Sequence, residues 1–346
     1  MIDSLLTEPS PKNGQVRATR AVVSWYLKTH HGRSDVPGTA RMFCDYASVG
    51  NFAVSPSAIT AGDSEALFRM LVTTAMFQRR QDQQILRVLQ GISAPMAAEL
   101  TDQAGLQRLV RASPCPHVKS VASLRERCDL MKDPSTRRGD CRHRPGDDCH
   151  LKEHTVVLKR YGHFGKVPTS IALSIVESGA RDLRDLFERS IATHRTRLGR
   201  AVALETSLCE AWRVNQKIAS MFLSAVTNPD LSPGCTVPWA RKIDWSYFVV
   251  VDSNVDLFFS SLGYEGRSTY DARRAFIRAL AARIDLRDLD PRLRSFNPRL
   301  VQQAMYLFMS ASNRRTLASD CSRLGSSACR QCPSSLRARC GLRAPN

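Results

Sequence analysis

Four cysteines near the C-terminus, Cys321, Cys329, Cys332 and Cys340, are spaced C-x7-C-x2-C-x7-C in a segment whose other residues are small, polar or arginine. Four thiolates in so short a stretch suit a tetrahedral zinc or a four-iron cluster, because both take four sulfur ligands; spacing alone does not choose between them. A looser group brings Cys115, Cys128, Cys141 and Cys149 together with His117, His143, His150 and His154. Thiolate and imidazole are both good zinc ligands. The expected set is Cys128, Cys141, Cys149 and either His150 or His154, pinning a loop too polar to fold alone; without a metal these are reduced thiols in an exposed insertion. Asp252 stands directly before a helical pattern in which Val255, Phe258, Phe259 and Leu262 recur at i, i+3, i+4 and i+7. As an N-cap its oxygens accept backbone N–H bonds and feel the positive end of the helix dipole, which favours the carboxylate.

These residues must be held by helices, because strand-like alternation is scarce along the chain. A first helix is expected over Gln15–Lys28, followed by a glycine-, proline- and serine-rich loop to about Asp63. From Glu65 the run EALFRMLVTTAMF sets Leu67, Met70, Leu71 and Thr74 on one buried face. Helical patterns continue at Gln81–Leu89, Gln103–Ala112, Val118–Leu130, Val167–Glu177, Arg181–Ala192 and Leu204–Leu223, and then at Thr269–Ile284 and Pro298–Ser312. The stretch from Met131 to His154 has almost nothing apolar to bury and reads as an exposed insertion.

Composition limits what such a chain can do. Of 346 residues, Lys and Arg supply 50 and Asp and Glu 32, a formal charge of +18 with a pI near 9.9. That balance attracts polyanions and makes nucleic acid the expected partner. No apolar run approaches a membrane span, and the N-terminus lacks a signal peptide's layout, so a cytoplasmic, nucleoid-associated or nuclear protein is expected. Eleven cysteines without an export signal argue for metal ligands or reduced thiols over disulfides.

A polar break at FQRRQD, a lysine-bearing helix at RVNQKIASMF, the segment VVVDSNVDLFFSSLGY and a terminal four-cysteine loop occur in that order. In this the chain resembles the helix-hairpin-helix DNA glycosylases with an iron–sulfur cluster, the endonuclease III and adenine glycosylase branch. The likeness runs over residues 60–130 and 200–340 and is closest at Val251–Leu262, where the family has V-D-T-H/N-V and a helix ending in L-G. The family's hairpin L-P-G-V-G-x-K-T-A falls on Ala211 to Ala219. Lys217 and Ala219 match, whereas Arg213 and Asn215 replace the glycines. Asn215 is therefore expected to take the left-handed backbone a glycine would supply, and Arg213 to reach a DNA phosphate with its guanidinium. The family's cysteine spacing is C-x6-C-x2-C-x5-C, so longer loops are expected here.

The resemblance implies an all-α, two-lobed helix-hairpin-helix glycosylase fold with a cluster-binding C-terminal loop. The expected organisation is N-terminal helices over 1–64 packing with the C-terminal lobe, a helical barrel over 65–250 with the hairpin at 205–225 and the insertion at 131–154, and a C-terminal lobe over 251–346 with the cluster loop at 321–340. It implies a 4Fe-4S cluster on the terminal cysteines and excision of a damaged or modified base from double-stranded DNA, by a monomer with no small-molecule substrate. Asp252 would stabilise the positive charge that develops on the sugar as the base leaves. Lys217 matches the lysine that attacks C1′ to form a Schiff base, the route to AP-lyase strand cleavage, and Arg213 in the preceding turn would favour its neutral amine; the other route is monofunctional, with Asp252 activating water and Lys217 uninvolved. The wedge that fills the gap left by a flipped base falls on Arg79, with Gln78 beside it and Arg80 as a further contact; Gln216 belongs to the same DNA-facing hairpin. The alternatives are a non-catalytic DNA-binding module of the same fold and a metal-dependent nuclease.

Overall fold

Capping side chains decide where most helices of the protein begin. In the computed structural model, which describes residues 10–78, 81–132, 139–141, 146, 149–158, 164–315 and 328–340, Asp63 caps Ser64–Ala75 and Asp102 caps Gln103–Ala112. Thr269 caps Tyr270–Ala282, and Asn297 caps Pro298–Met309 with the proline pre-set in the first turn. The fold is all-α; among the described residues the one sheet is a hairpin pairing Met131–Lys132 with Gly139–Asp140.

Two apolar cores divide the chain. The larger gathers residues between Ala40 and Phe248, including Phe68, Leu71, Phe187, Ile218 and Phe222. The second joins the first helix, Asn13–Thr29, to the C-terminal helices: Val22, Val23 and Tyr26 pack with Phe258, Phe276, Leu300 and Phe308. Trp25 meets Phe308 edge-on at 5.5 Å between ring centroids. The boundary falls between adjacent residues of the apolar run SYFVVV, since Phe248 belongs to the first core and Val249 to the second. The N-terminal share of the second core ends at Val36, earlier than the expected boundary at 64, because Ala40, Met42 and Phe43 are already buried in the first.

The lobes are joined by buried polar contacts. Arg274 donates to Glu205 at 2.8 Å with both side chains 4% exposed, and Glu205 also accepts from Ser220 and Tyr247. Asn228 and Asn297 exchange a reciprocal pair of side-chain hydrogen bonds at 2.9 Å. Buried charges fixed this way orient one lobe on the other more than they stabilise either.

A smaller satellite cluster holds Val110, Val118, Val121, Leu124, Leu130, Leu151 and Leu173. Here the expected loop differs from what forms: the stretch read as an exposed insertion contains the hairpin and the helix His150–Val157, anchored by Leu130 and Leu151. The continuous helix expected over Val118–Leu130 is a 3-10 turn, Pro116–Val118, and a short helix, Val121–Glu126, restarted by the Ser120 cap. The run Leu204–Leu223 is likewise two helices, Arg197–Cys209 and Gln216–Thr227, broken at a turn.

Candidate active site

Lys217 and Asp252, 35 residues apart in sequence and on different lobes, line one cavity at the lobe junction. Phe77, Asp82 and Met221 join Lys217 from the larger lobe, while Arg299, Gln302, Gln303 and Tyr306 join Asp252 from the other. The Gln216–Thr227 helix presents Lys217 one residue inside its N-terminus, and Asp252 is the N-cap of Ser253–Leu262 as expected, its Oδ1 accepting the Val255 N–H at 3.0 Å. That helix ends at Gly263, whose φ of +65° supplies the left-handed C-cap of the L-G motif. Burial pushes the Asp252 carboxyl above its ordinary range; Lys217, the Val255 and Asn254 N–H groups and Arg299 pull it back.

Asp82 is a second acid in the cavity that the motifs did not single out. It occupies the first turn of Asp82–Gln90, and its Oδ2 accepts hydrogen bonds from the Tyr306 hydroxyl and, at 3.0 Å, from Asn313 Nδ2. Burial pushes its carboxyl up as well, opposed by the Tyr306 bond and by Lys217. Lys217 thus faces two carboxylates, whereas the Arg213 guanidinium expected beside it lies 5.1 Å from the Trp212 ring centroid.

Arg299 was also missed. It is 2% exposed, and among the described residues it bonds to neutral groups: Nε to Ser224 Oγ at 3.0 Å, and Nη1 to the side-chain carbonyls of Gln302, at 2.6 Å, and Gln303. Burial pulls its guanidinium down to about 10. Gly38 makes room for it, for a Cβ there would sit 3.0 Å from Arg299 Nη2 on a backbone with φ of +78°. A signal existed in the sequence: 299, 302, 303 and 306 are polar at i, i+3, i+4 and i+7 of an otherwise apolar helix.

At the hairpin the left-handed residue is Arg213, with φ of +68°, the one non-glycine residue with positive φ among the described residues. Asn215 is instead extended (φ −101°, ψ 176°), because its side chain caps the Gln216–Thr227 helix through Ile218 N at 3.2 Å. The turn shape falls where the family's first glycine stands, carried by a residue that strains to adopt it. Gln78 Nε2 donates to the Arg213 carbonyl at 2.8 Å and so ties the expected wedge loop to the hairpin. Gln216 reaches Asp271 at 3.5 Å. Arg79 and Arg80 lie outside the described residues.

Of the terminal cysteines, Cys321 lies outside the described residues. Cys329 is in the helix Ala328–Gln331, Cys332 just beyond it, and Cys332 and Cys340 pack on the second core. Arg314 Nη1 donates to Cys340 Sγ at 2.8 Å, with its guanidinium 4.1 Å from the Phe308 ring centroid and its buried Nε unpartnered. The central cysteines Cys128, Cys141 and Cys149 share the satellite cluster with Cys115. The two histidines expected beside them are engaged elsewhere: His150 Nε2 with Thr169 Oγ1 at 3.1 Å, and His154 Nε2 with Glu99 at 2.8 Å. His143 lies outside the described residues. Among the described residues no three His, Cys, Asp or Glu side chains stand in a ready-made metal geometry, and no helix is long and apolar enough to cross a membrane. Compared with protein-family models, curated proteins and solved structures, the chain matches none.

Proposed function

We propose that the protein is a DNA glycosylase that removes a damaged or modified base from duplex DNA, with lyase activity through Lys217. The observation that carries this reading is the shared cavity: an amine and a carboxylate from different lobes line one space at the lobe junction. On a basic chain, that junction is where an extruded nucleotide would be brought.

Departure of the base leaves positive charge on the sugar, and the Asp252 carboxylate, fixed by the Val255 N–H, meets that charge without reorganising. Lys217 must lose a proton before it attacks C1′. Asp82, whose proton affinity burial has raised, is the acceptor facing it, which leaves Asp252 ionised. The amine then forms a bond to C1′ as the C1′–N bond to the base breaks, the base leaving with the proton taken up by Asp82; opening of the sugar ring at C1′–O4′ gives the imine, and loss of a C2′ proton then breaks the C3′–O bond to release the 3′ phosphate. Gln302 offers its amide nitrogen to the base edge while Arg299 holds its carbonyl oxygen; Gln303, held by Arg299 at its oxygen and by the Pro37 carbonyl at its nitrogen, fixes the wall beside it.

The donor set at the C-terminus fits a four-sulfur centre. Three thiols with neither imidazole nor carboxylate among them sit by a buried arginine that already donates to one sulfur and keeps an unused Nε–H. Cys329, Cys332 and Cys340, with Cys321, would hold a 4Fe-4S cluster. When bound, the cluster would tie the chain's end to the second lobe.

The test is borohydride trapping on duplex DNA containing an abasic site, with base release from damaged and naturally modified DNAs read by mass spectrometry. Covalent adduct in the wild type and none in Lys217→Ala is the expected result. DNA binding with neither adduct nor released base leaves a binding module instead.

A further inference from the structure

The central cysteines carry an assignment independent of the glycosylase reading. We propose that Cys115, Cys128, Cys141 and Cys149 bind one structural zinc ion through four thiolates, with neither His150 nor His154 as a ligand.

All four cysteines pack on one satellite cluster, although they span 35 residues of the chain and the stretch from Met131 that carries Cys141 and Cys149 has almost nothing apolar to bury. The hairpin brings two of them together. Met131 pairs with Asp140, and the same register carried outward sets Cys141 opposite Leu130, with Cys128 two residues further along. Cys149 joins them as the N-cap of His150–Val157, which packs on the hairpin, and Cys115 comes from the turn ahead of Pro116–Val118, against the short helix that leads to Cys128. The thiols are near enough to feel one another's charge: Cys128 feels Cys141 and Cys115, and Cys149 feels Cys128 and Cys115.

The surroundings suit bound thiolates. Backbone N–H groups of Leu151 and Lys152 face the Cys149 sulfur, and that of Leu130 faces the Cys128 sulfur. Such N–H···S contacts orient and stabilise sulfur ligands. Lys166 is the second observation. It is 4% exposed, its ammonium donates to the Cys128 carbonyl and lies 5.2 Å from the Trp212 ring centroid, and among the described residues no carboxylate pairs with it. A buried cation of this kind calls for a nearby anion. Zinc with four thiolates carries two net negative charges and supplies it.

Without metal these side chains are thiols, with Cys141 Sγ pointing at Asp129 Oδ1 at 3.7 Å. Zinc displaces those protons to solvent and draws the four sulfurs inward to bonds of about 2.3 Å. His150 and His154 bond through Nε2 to Thr169 and Glu99, and of their other ring nitrogens His154 Nδ1 is buried without a partner among the described residues. Cys115 is assigned as the fourth ligand because it packs on the same cluster as the other three cysteines and lies near both Cys128 and Cys149, and the histidine variants test that choice.

The full chain, purified after growth with added zinc, is assayed for metal by mass spectrometry. One zinc per chain is expected in Cys332→Ser, which removes the terminal set from the count. That zinc is lost in Cys115→Ser and in Cys141→Ser and kept in His150→Ala and His154→Ala. In the wild type, alkylation with and without a chelator keeps the assignment testable should a serine variant fail to fold: Cys115, Cys128, Cys141 and Cys149 become reactive together when zinc is removed. Zinc retained in folded Cys115→Ser, zinc lost from folded His150→Ala or His154→Ala, Cys115 equally reactive in both states, or a zinc-free chain overturns the proposal. None of these readouts depends on base excision, so the zinc assignment and the glycosylase reading fail separately.

Discussion

Arg299 limits what the cavity accepts. Its guanidinium is sealed among neutral acceptors, so the negative charge that balances it must come from across the space, and Asp252 is one source. Replacing Asp252 with Asn is expected to slow base release by about 10²- to 10³-fold in single-turnover assays, with DNA affinity unchanged or tighter. Affinity falling in step with the rate would instead make the carboxylate a binding group. Asp252 must be ionised to act, and burial has raised its proton affinity, so activity should fall with acid at a pH above 3.8, its ordinary value. A rate profile flat down to that pH would remove Asp252 from the chemistry. At this scale the sequence was informative where a motif carried meaning: Asp252 and Lys217 could be named from their neighbours. Asp82 could not, because one acid after two arginines acquires significance only when Tyr306 and Asn313, more than 220 residues later, donate to it.

Among the elements, the hairpin departs furthest from expectation. An asparagine was legible as the residue tolerant of a left-handed backbone, yet its side chain had a stronger use as a helix cap, and the strain passed to Arg213. Arg213→Gly should therefore stabilise the protein by about 1 kcal/mol in urea unfolding, since a left-handed L residue costs on the order of 1–2 kcal/mol. The same change should weaken DNA binding and lower the slope of log affinity against log salt by about 1, if the guanidinium contacts a phosphate. A gain in stability with an unchanged slope would confine Arg213 to a structural role. The helix Val167–Glu177 was readable to the residue, because its apolar face is continuous and Pro168 fixes its first turn. The hairpin of the insertion was not, because its strands have two residues each and their anchors, Leu130 and Leu151, lie outside them.

For the whole molecule, two lobes were implied by the family resemblance, but the seam between Phe248 and Val249 was not. Six consecutive residues of similar character carry no mark of which core each will enter. The Glu205–Arg274 pair crosses that seam, and breaking it leaves one charge buried without its partner. Glu205→Gln is expected to cost about 3–5 kcal/mol in chemical denaturation, and restoring neutrality with Arg274→Met on the same chain should recover much of it. Acid should loosen the second lobe by another route. His30 is buried against Asn313, with Arg315, Arg33 and Asp35 around it, and burial pulls its imidazole down to about 4. The unfolded chain takes up that proton near pH 6.5, so stability is full above that pH and declines between 6.5 and 4, by about 3 kcal/mol for this group alone. His30→Gln should flatten the decline as followed by Trp25 fluorescence.

The helix Asn13–Thr29 leaves the ribosome well over two hundred residues ahead of the helix it covers, Pro298–Met309. During synthesis its apolar stripe of Val22, Val23, Trp25 and Tyr26 therefore waits uncovered for on the order of tens of seconds at ordinary elongation rates. Nascent chains stalled before residue 298 should accordingly bind a chaperone at that stripe and release it only once Pro298–Met309 has emerged.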